Sequence, residues 1–345
     1  MKKFTYIIGL IIICYSCETD FEINAPYDRI PIVYGIMDQS ADTQFIKINK
    51  SFLGTDNNQY ASVNDSLYFD NVDVRVEELD EDERVLRVFS LDEKFVPVAP
   101  GSGIFFTGQQ KVYYFTDALD ETKEYRIVGE GDGRPFSATT NLVSDFTFDL
   151  SFRNSLNAPL GIGWYNSGNY SPINPKWRQS PDGKLYDVTV RFYYTEHRNG
   201  IATPLSIDWF VGSRKSTSTT GSLSLESNAE SFFAYLGNSQ QLQDTAGVTK
   251  RVIGKIEFRV TSVNQIMETY IDVNKPNNNI AFDKPDYTNI EGGRGVFGSR
   301  YTSFIQSNKE FNVKTATELF NGQYTGDLKF CSDDINFNSE VFYCP

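Results

Sequence analysis

The chain has 345 residues, of which 40% are apolar, and its 45 acidic and 32 basic side chains give a net charge of −13 at pH 7. That length suits about two domains that each bury a core. The acidic balance disfavours nucleic acid as a partner, because affinity for phosphates comes largely from Lys and Arg. The single histidine, His197, argues against multi-histidine metal centres and most histidine-based catalysis, so we expect no metal and no cofactor.

Residues 1–16 are predicted to be a lipoprotein signal peptide. Two lysines precede an apolar run, residues 4–13, which is too short to span a bilayer. The run leads to Ser16-Cys17, which resembles the lipobox of bacterial lipoproteins, where the signal is removed and the cysteine carries the lipid. The alternative is a transmembrane anchor with incidental cysteines.

Residues 17–25 form an acidic tether after the lipidated cysteine. Its residues Glu18, Asp20, Phe21 and Glu22 resemble the export signal that sends Bacteroidota lipoproteins to the outer face of the outer membrane. We therefore expect a lipid-anchored protein of the outer membrane on its extracellular face. An ordinary solvated tether is the alternative.

Residues 26–143 are predicted to be an immunoglobulin-like β-sandwich, because seven short segments with strand character follow each other between turn signals. The predicted strands are 30–37, 44–52, 71–79, 84–91, 104–115, 124–130 and 135–142. The acidic run 77–83 lacks the pattern of a calcium loop and indicates a solvated hairpin tip.

Residues 144–345 are predicted to be a second β-rich domain with a few short helices. It contains an irregular aromatic insertion, 154–182, and a C-terminal tail, 323–345. Long irregular segments in compact domains are often functional. We expect the four aromatic residues of the insertion either to contact a partner or ligand or to fold back over the core; they are Trp164, Tyr165, Tyr170 and Trp177.

The clearest hairpin joins strands 185–196 and 201–211 through Asn199-Gly200, a pair that tolerates the positive φ angles of a type I′ turn. His197 then lies at the hairpin tip, exposed and without a catalytic role. Capping boxes at 227–230 and 315–318 predict helix starts. A strand at 252–260 and a helix around 266–271 are predicted between them.

The segment Gly293–Gly298 matches the dinucleotide fingerprint G-x-G-x-x-G, but the match is rejected. That loop must follow a buried strand and open a helix, whereas here it leads into a strand-like segment. We expect a glycine-bent strand or close backbone packing.

Cys331 and Cys344 are the thiols that remain once Cys14 is removed and Cys17 is lipidated. We expect them to form a disulfide that clamps the tail, because half a zinc site would need further ligands.

Ser66 and Thr245 each lie in a short sequence that resembles the O-glycosylation sequon of exported Bacteroidota proteins.

Several segments together resemble the domain-of-unknown-function 4249 lipoproteins of Bacteroidota. They are the acidic segment after Cys17 and residues 25–27, 32–36, 45–51 and 287–298. The resemblance implies an association with TonB-dependent outer-membrane receptors and carries over no catalytic residue. No G-x-S-x-G, H-E-x-x-H or P-loop motif occurs.

From these features we expect a non-enzymatic accessory subunit of an outer-membrane β-barrel complex, either a TonB-dependent transporter or barrel-assembly or export machinery. A surface module that binds glycans or peptides through the insertion is the alternative. A third possibility is a hydrolase that acts through paired carboxylates.

Overall fold

A computed structural model describes residues 29–51, 67–97, 109–162, 164–165, 169–216, 218–275, 286–308 and 311–344. The chain is mainly β, with 50% strand and 17% helix, as the sequence predicts. The strands are β1 (Pro31–Asp38), β2 (Gln44–Lys50), β3 (Val72–Leu79), β4 (Val85–Ser90), β5 (Asp92–Pro97), β6 (Gln109–Phe115), β7 (Glu124–Gly131), β8 (Arg134–Asn141), β9 (Trp164–Tyr165), β10 (Asn169–Tyr170), β11 (Pro172–Ile173), β12 (Lys176–Arg178), β13 (Leu185–Arg198), β14 (Ile201–Lys215), β15 (Ser222–Ser224), β16 (Ser227–Asn228), β17 (Val248–Val263), β18 (Arg294–Gln306) and β19 (Phe330–Cys331). The α-helices are α1 (Leu150–Ser155), α2 (Glu230–Asn238), α3 (Gln240–Gln243), α4 (Gln265–Asn274) and α5 (Val313–Asn321).

The first eight strands form a two-sheet sandwich. One sheet has the order β1-β2-β6-β5 and the other β4-β3-β7-β8, which is the strand order of an immunoglobulin-like sandwich with one added strand beside the third. The seven predicted strands are all present, although residues 104–108 of the fifth lie outside the described residues. The one strand here that the sequence did not predict is β5, which follows β4 after a single residue and crosses to the other sheet.

Tyr125, near the start of β7, ties the corner of this sandwich to its backbone. Its ring is fully buried, and its hydroxyl accepts a hydrogen bond from the amide of Asp120 (2.7 Å) and donates one to Glu78 (2.9 Å). A tyrosine that bonds a few residues upstream at this corner is typical of immunoglobulin-like sandwiches.

The acidic run 77–83 is only in part a solvated hairpin tip, which corrects the prediction. The turn lies at 80–84, but Glu77 and Glu78 are buried within β3. Arg126 of the neighbouring strand β7 lies opposite Glu77 and donates to its carboxylate at 2.7 and 2.9 Å. These cross-strand partners depend on register, which the acidic run alone does not reveal.

β18 joins the sandwich to the rest of the chain. Its first half pairs in parallel with β1, and its second half pairs antiparallel with β17. A nine-stranded sheet results, with the order β14-β13-β17-β18-β1-β2-β6-β5 and β19 beside β17. Strands from both sides of residue 143 therefore share one sheet. The hydrophobic residues form two clusters: the first comprises residues up to 142 together with Ile290 and Phe297, and the second begins at Phe146.

The glycine motif opens β18, as expected for a bent strand with close backbone packing. Gly295 has φ +110°, and a Cβ atom there would overlap the carbonyl oxygen of Val33 on β1. Asn289 pins the preceding loop, because its side-chain amide donates to the carbonyl of Phe297 (2.8 Å) and accepts from the same residue's amide (2.9 Å).

The second core lies under β13, β14, β17 and the end of β18. The turn Asn199-Gly200 has φ angles of 51° and 81°, as a type I′ turn requires. Phe232, Phe233 and Leu236 of α2 are fully buried against the sheet, as predicted.

Both predicted capping boxes are wrong by a few residues. Helix α2 begins at Glu230, and Asn228 accepts from its amide (3.0 Å) while Ser227 pairs within a short strand. Helix α5 begins two residues before Thr315, and its N-cap is Asn312, which accepts from the amide of Thr315. Asn is as good an N-cap as Ser or Thr, so the local pattern does not decide between them.

The C-terminal tail belongs to the second core. Cys331 and Cys344 are bonded, which confirms the predicted disulfide. Phe330 and Phe342 are fully buried, and β19 pairs in parallel with β17. The clamp therefore holds two core side chains as well as the chain end.

Candidate interaction surfaces

Both hydrophobic cores lie on the same face of the nine-stranded sheet. Alternate residues of a strand point to one face, and β18 runs without a register shift from the first core to the second. Phe297 belongs to the first core, whereas Tyr301 and Ile305 pack against the second. The opposite face of the sheet carries neither core.

Helix α4 covers the middle of this opposite face. Its Met267 packs against Gly298, and the ring of Tyr270 lies 6.4 Å from the ring of Tyr34 on β1. Asn264 caps the helix and accepts from the amide of Met267 (3.2 Å). The helix leaves two open areas: the proximal face on β1, β2, β6 and β5, and the distal face on β14, β13, β17 and the end of β18.

The proximal face presents aromatic and aliphatic side chains around one lysine. Tyr34, Ile36 and Phe45 are all exposed. The ammonium group of Lys94 lies 4.6 Å from the ring centroid of Phe45 and 4.2 Å from that of Tyr114. Aromatic rings with a cation held over them give a surface that is apolar yet compatible with water.

The distal face is a set of cross-strand rows. One row is apolar at its ends and runs through Phe210, Thr189, Arg259 and Phe304, and the next runs through Asp208, Arg191, Glu257 and Gln306. The two phenylalanines are 56% and 63% exposed, which is unusual for that residue type. Arg259 lies over the ring of Phe304 at 5.9 Å from its centroid.

Ion pairs hold the charges of the distal face in place. Arg191 donates two hydrogen bonds to Asp208, at 2.6 and 2.7 Å, and this contact lowers the pKa of that carboxyl below its usual range. Glu257 accepts from Arg259 at 2.5 Å and from Tyr193 at 3.3 Å. The distal face thus carries both signs of charge in paired form, with Glu257 itself buried beneath its partners.

In the described part of the aromatic insertion, Tyr170 and Trp177 fold back over the second core. Trp177 is completely buried, so the predicted contact with a partner is wrong for this residue. The alternative, in which the side chain folds back over the core, is what the structure shows. Tyr170 donates to the buried Glu318 at 2.8 Å and packs 5.5 Å from the ring of Phe233. The side chains of Trp164 and Tyr165 lie outside the described residues.

Some of the remaining predicted sites lie outside the described residues, and the others lie within them. Outside the described residues lie Cys17, Glu18, Asp20, Phe21, Glu22 and Ser66. Thr245 is half-buried beside Asp244, whose carboxylate pairs with Arg198 at 2.9 Å, and its modification stays a prediction. His197 lies near the hairpin tip, but it is half-buried and not exposed as predicted, and its carbonyl accepts from Thr249.

Over the described parts of the chain, no group of three or more His, Cys, Asp or Glu side chains is placed to hold a metal. In the same regions no helix has the length and apolar character to cross a membrane.

A cleft of about 480 Å³ opens beside β5, where Glu93 and Tyr113 line it. Lys111 pairs with Glu93 at 3.0 Å.

No protein-family model matches the chain, and no similar sequence is found among curated proteins. The resemblance to the Bacteroidota lipoproteins therefore stays a prediction. The sequence did carry a signal for the distal face, because placing Val188, Val190 and Phe192 inward leaves Thr189 and Arg191 on the other side. The sequence carried no signal for the residues of β17 and β18 that complete this face, because strand register decides which residues lie beside each other.

Proposed function

We propose that the chain is a non-enzymatic accessory subunit of an outer-membrane β-barrel complex, anchored by lipid on Cys17 at the cell surface. The barrel is a TonB-dependent transporter or a barrel-assembly or export machine. The lipobox and the acidic export signal supply the anchor and the location.

The proximal face is the observation that supports this role. Arg29 lies twelve positions after Cys17, so the tether reaches at most about 40 Å. β1 starts at Pro31 and runs about 25 Å away from the tether. The proximal face therefore stands within reach of proteins that project from the same membrane, and its aromatic rings are of the kind enriched at protein interfaces.

The test is an affinity pull-down of the full lipoprotein from membranes in mild detergent. We expect a β-barrel protein in stoichiometric yield. Replacing two exposed side chains of the proximal face, Ile36→Glu with Phe45→Glu, should lower barrel recovery about tenfold, since buried apolar anchors dominate such contacts.

The matched control is Leu86→Glu with Val88→Glu on β4 of the other sheet, where the two side chains are 53% and 51% exposed. This variant should recover the barrel as the unmodified protein does. Purification of the unmodified protein alone would contradict the proposed function, and equal losses in both variants would remove the proximal face from it.

A further inference from the structure

Strand β4 is an open edge of the four-stranded sheet. It pairs with β3 on one side, and within the described residues neither a strand nor a side chain bonds to the backbone on its other side. Its side chains Val85, Leu86 and Val88 are 44%, 53% and 51% exposed. An aliphatic edge of this kind is a template for a strand from another chain.

The other end strands of the two large sheets are less suited to receive a strand. On β14, the side chains of Tyr235 and Gln241 donate to two backbone carbonyls of the strand. In the middle of β8, Ser137 exchanges two backbone hydrogen bonds with Glu291. β5 begins with three charged residues and ends at Pro97, which has no amide hydrogen. β4 therefore combines an open backbone with apolar side chains.

The cleft of about 480 Å³ adjoins the end of β4, where the chain leaves β3 and crosses to the other sheet. β4 pairs with β3 only as far as Arg75, so residues 72–74 of β3 line the gap. Arg75 and Glu93, which also line it, each have an ion-pair partner. The carboxylates of Asp73 and Asp92 have none among the described residues. The cleft therefore attracts a cation.

We propose that β4 and this cleft together bind an extended segment of another protein, which adds to the sheet as a strand beside β4 and places a Lys or Arg side chain in the cleft. In this mode of recognition, main-chain hydrogen bonds provide affinity and side-chain pockets provide specificity. The six residues of β4 match a segment about 20 Å long. This surface lies apart from the proximal face, so the proposal does not depend on the barrel partner.

Charge argues against a second copy of this chain as the occupant. β4 begins beside the acidic turn 80–83 and ends beside the acidic cleft. Antiparallel pairing of two β4 strands would place the turn of each copy beside the cleft of the other, and like charges opposed across a strand pair are destabilising. A basic segment is instead attracted at both ends of the strand.

The first experiment selects binders from a library of random peptides displayed on phage, with the full lipoprotein in mild detergent as the target. We expect the enriched peptides to carry apolar residues at alternate positions and a Lys or Arg near one end. Fluorescence anisotropy then measures the affinity of one enriched peptide. Asp73→Asn with Asp92→Asn should weaken binding about tenfold, because two charge contacts are lost. The matched control is Asp42→Asn with Asp333→Asn, two exposed carboxylates elsewhere, and it should bind as the unmodified protein does.

The second experiment tests the addition of a strand by N-methylation of the enriched peptide. Alternate amide hydrogens of a strand point to opposite sides, so methyl groups on the set that faces β4 should abolish binding, whereas methyl groups on the other set should not. The proposal is overturned if selection yields no peptide, if the peptides lack a basic residue, if both pairs of aspartate variants bind equally, or if both methylated sets are tolerated. Ile36→Glu with Phe45→Glu should bind the peptide unchanged, so the loss of the barrel and the loss of the peptide can be told apart.

Discussion

Arg251 is a completely buried cation in the second core. Its guanidinium donates to the carboxylate of Glu196 (2.9 Å) and to the carbonyls of Leu242 (2.9 Å), Asp244 (3.1 Å) and Leu328 (2.8 Å). One side chain thus joins two strands to the end of α3, to the residue that follows it and to the C-terminal segment. A buried charge is tolerated when its donors are paired in this way.

Replacing Arg251 by Met should lower the free energy of unfolding by about 3–5 kcal/mol, because the carboxylate of Glu196 stays buried without this partner. Arg198→Met, which removes the more exposed partner of the same carboxylate, should cost much less, because solvent-screened ion pairs contribute little. Chemical denaturation at pH 7 measures both. Similar losses in the two variants would contradict a special role for the buried guanidinium.

The same carboxylate makes stability depend on pH. Burial raises the pKa of Glu196, but hydrogen bonds from Arg198 and Arg251 outweigh it, so the pKa lies below its usual range in the folded protein. A depressed pKa contributes stability above the unfolded value, and this is lost as the pH falls through the folded value. We expect the unmodified protein to lose this contribution in acid below about pH 4.5, and Arg251→Met to show a smaller loss there in denaturation series from pH 7 to pH 3.

The sequence identified some of these residues and not others, for physical reasons. The type I′ turn at Asn199-Gly200 could be predicted because the required φ angles are local properties of two residues. The burial of Trp177 and of Arg251 could not, because both depend on which distant segments fold over them.

Strand β18 is the element on which the architecture depends, and Gly295 allows it to lie against β1. A side chain there would need an unfavourable positive φ and would overlap the carbonyl of Val33. Gly295→Ala should therefore cost about 3 kcal/mol or more in unfolding free energy. Gly133→Ala is the control, since Gly133 also has a positive φ (77°) but has open space around it, and it should cost about 1 kcal/mol. Equal costs would mean that close packing against β1 is unimportant.

The disulfide between Cys331 and Cys344 closes a short loop at the end of the chain. Replacing both cysteines by serine should lower the free energy of unfolding by about 3 kcal/mol in the chain-entropy model. Urea denaturation of the unmodified protein with and without reductant gives an independent value. A loss below about 1 kcal/mol would show that the buried Phe342 holds the tail without the covalent link.

Strands were more predictable than their pairing. Alternation and turn signals located the sandwich strands and the long hairpin, because each strand buries one face. The parallel pairing of β1 with β18 joins residues more than 250 positions apart, and no local pattern encodes such a contact. The sequence therefore predicted two β-rich units but not the sheet that they share.

At the scale of the whole molecule, that shared sheet makes the protein long. β18 continues past β1, and β17 continues past β18, so the turn Asn199-Gly200 lies about 70 Å along the strands from Arg294. Arg29, where the described chain begins after the tether, pairs with Asp132 at the opposite end (3.5 Å). The hairpin tip is therefore the end of the sheet farther from the proposed lipid anchor on Cys17.

This geometry predicts which sites on the protein are cut fastest by a protease added to intact cells. A specific cleavage sequence inserted between Asn199 and Gly200 should be cut rapidly by protease added outside, because hairpin tips tolerate insertions and are exposed to proteolysis. The same sequence inserted between Asp132 and Gly133, in the turn beside Arg29, should be cut more slowly because it lies at the tethered end of the molecule, closer to the proposed anchor. Immunoblots over time compare the two. Cleavage at the tip only after the outer membrane is opened would place the protein on its inner leaflet, and equal rates at both sites would contradict the upright arrangement.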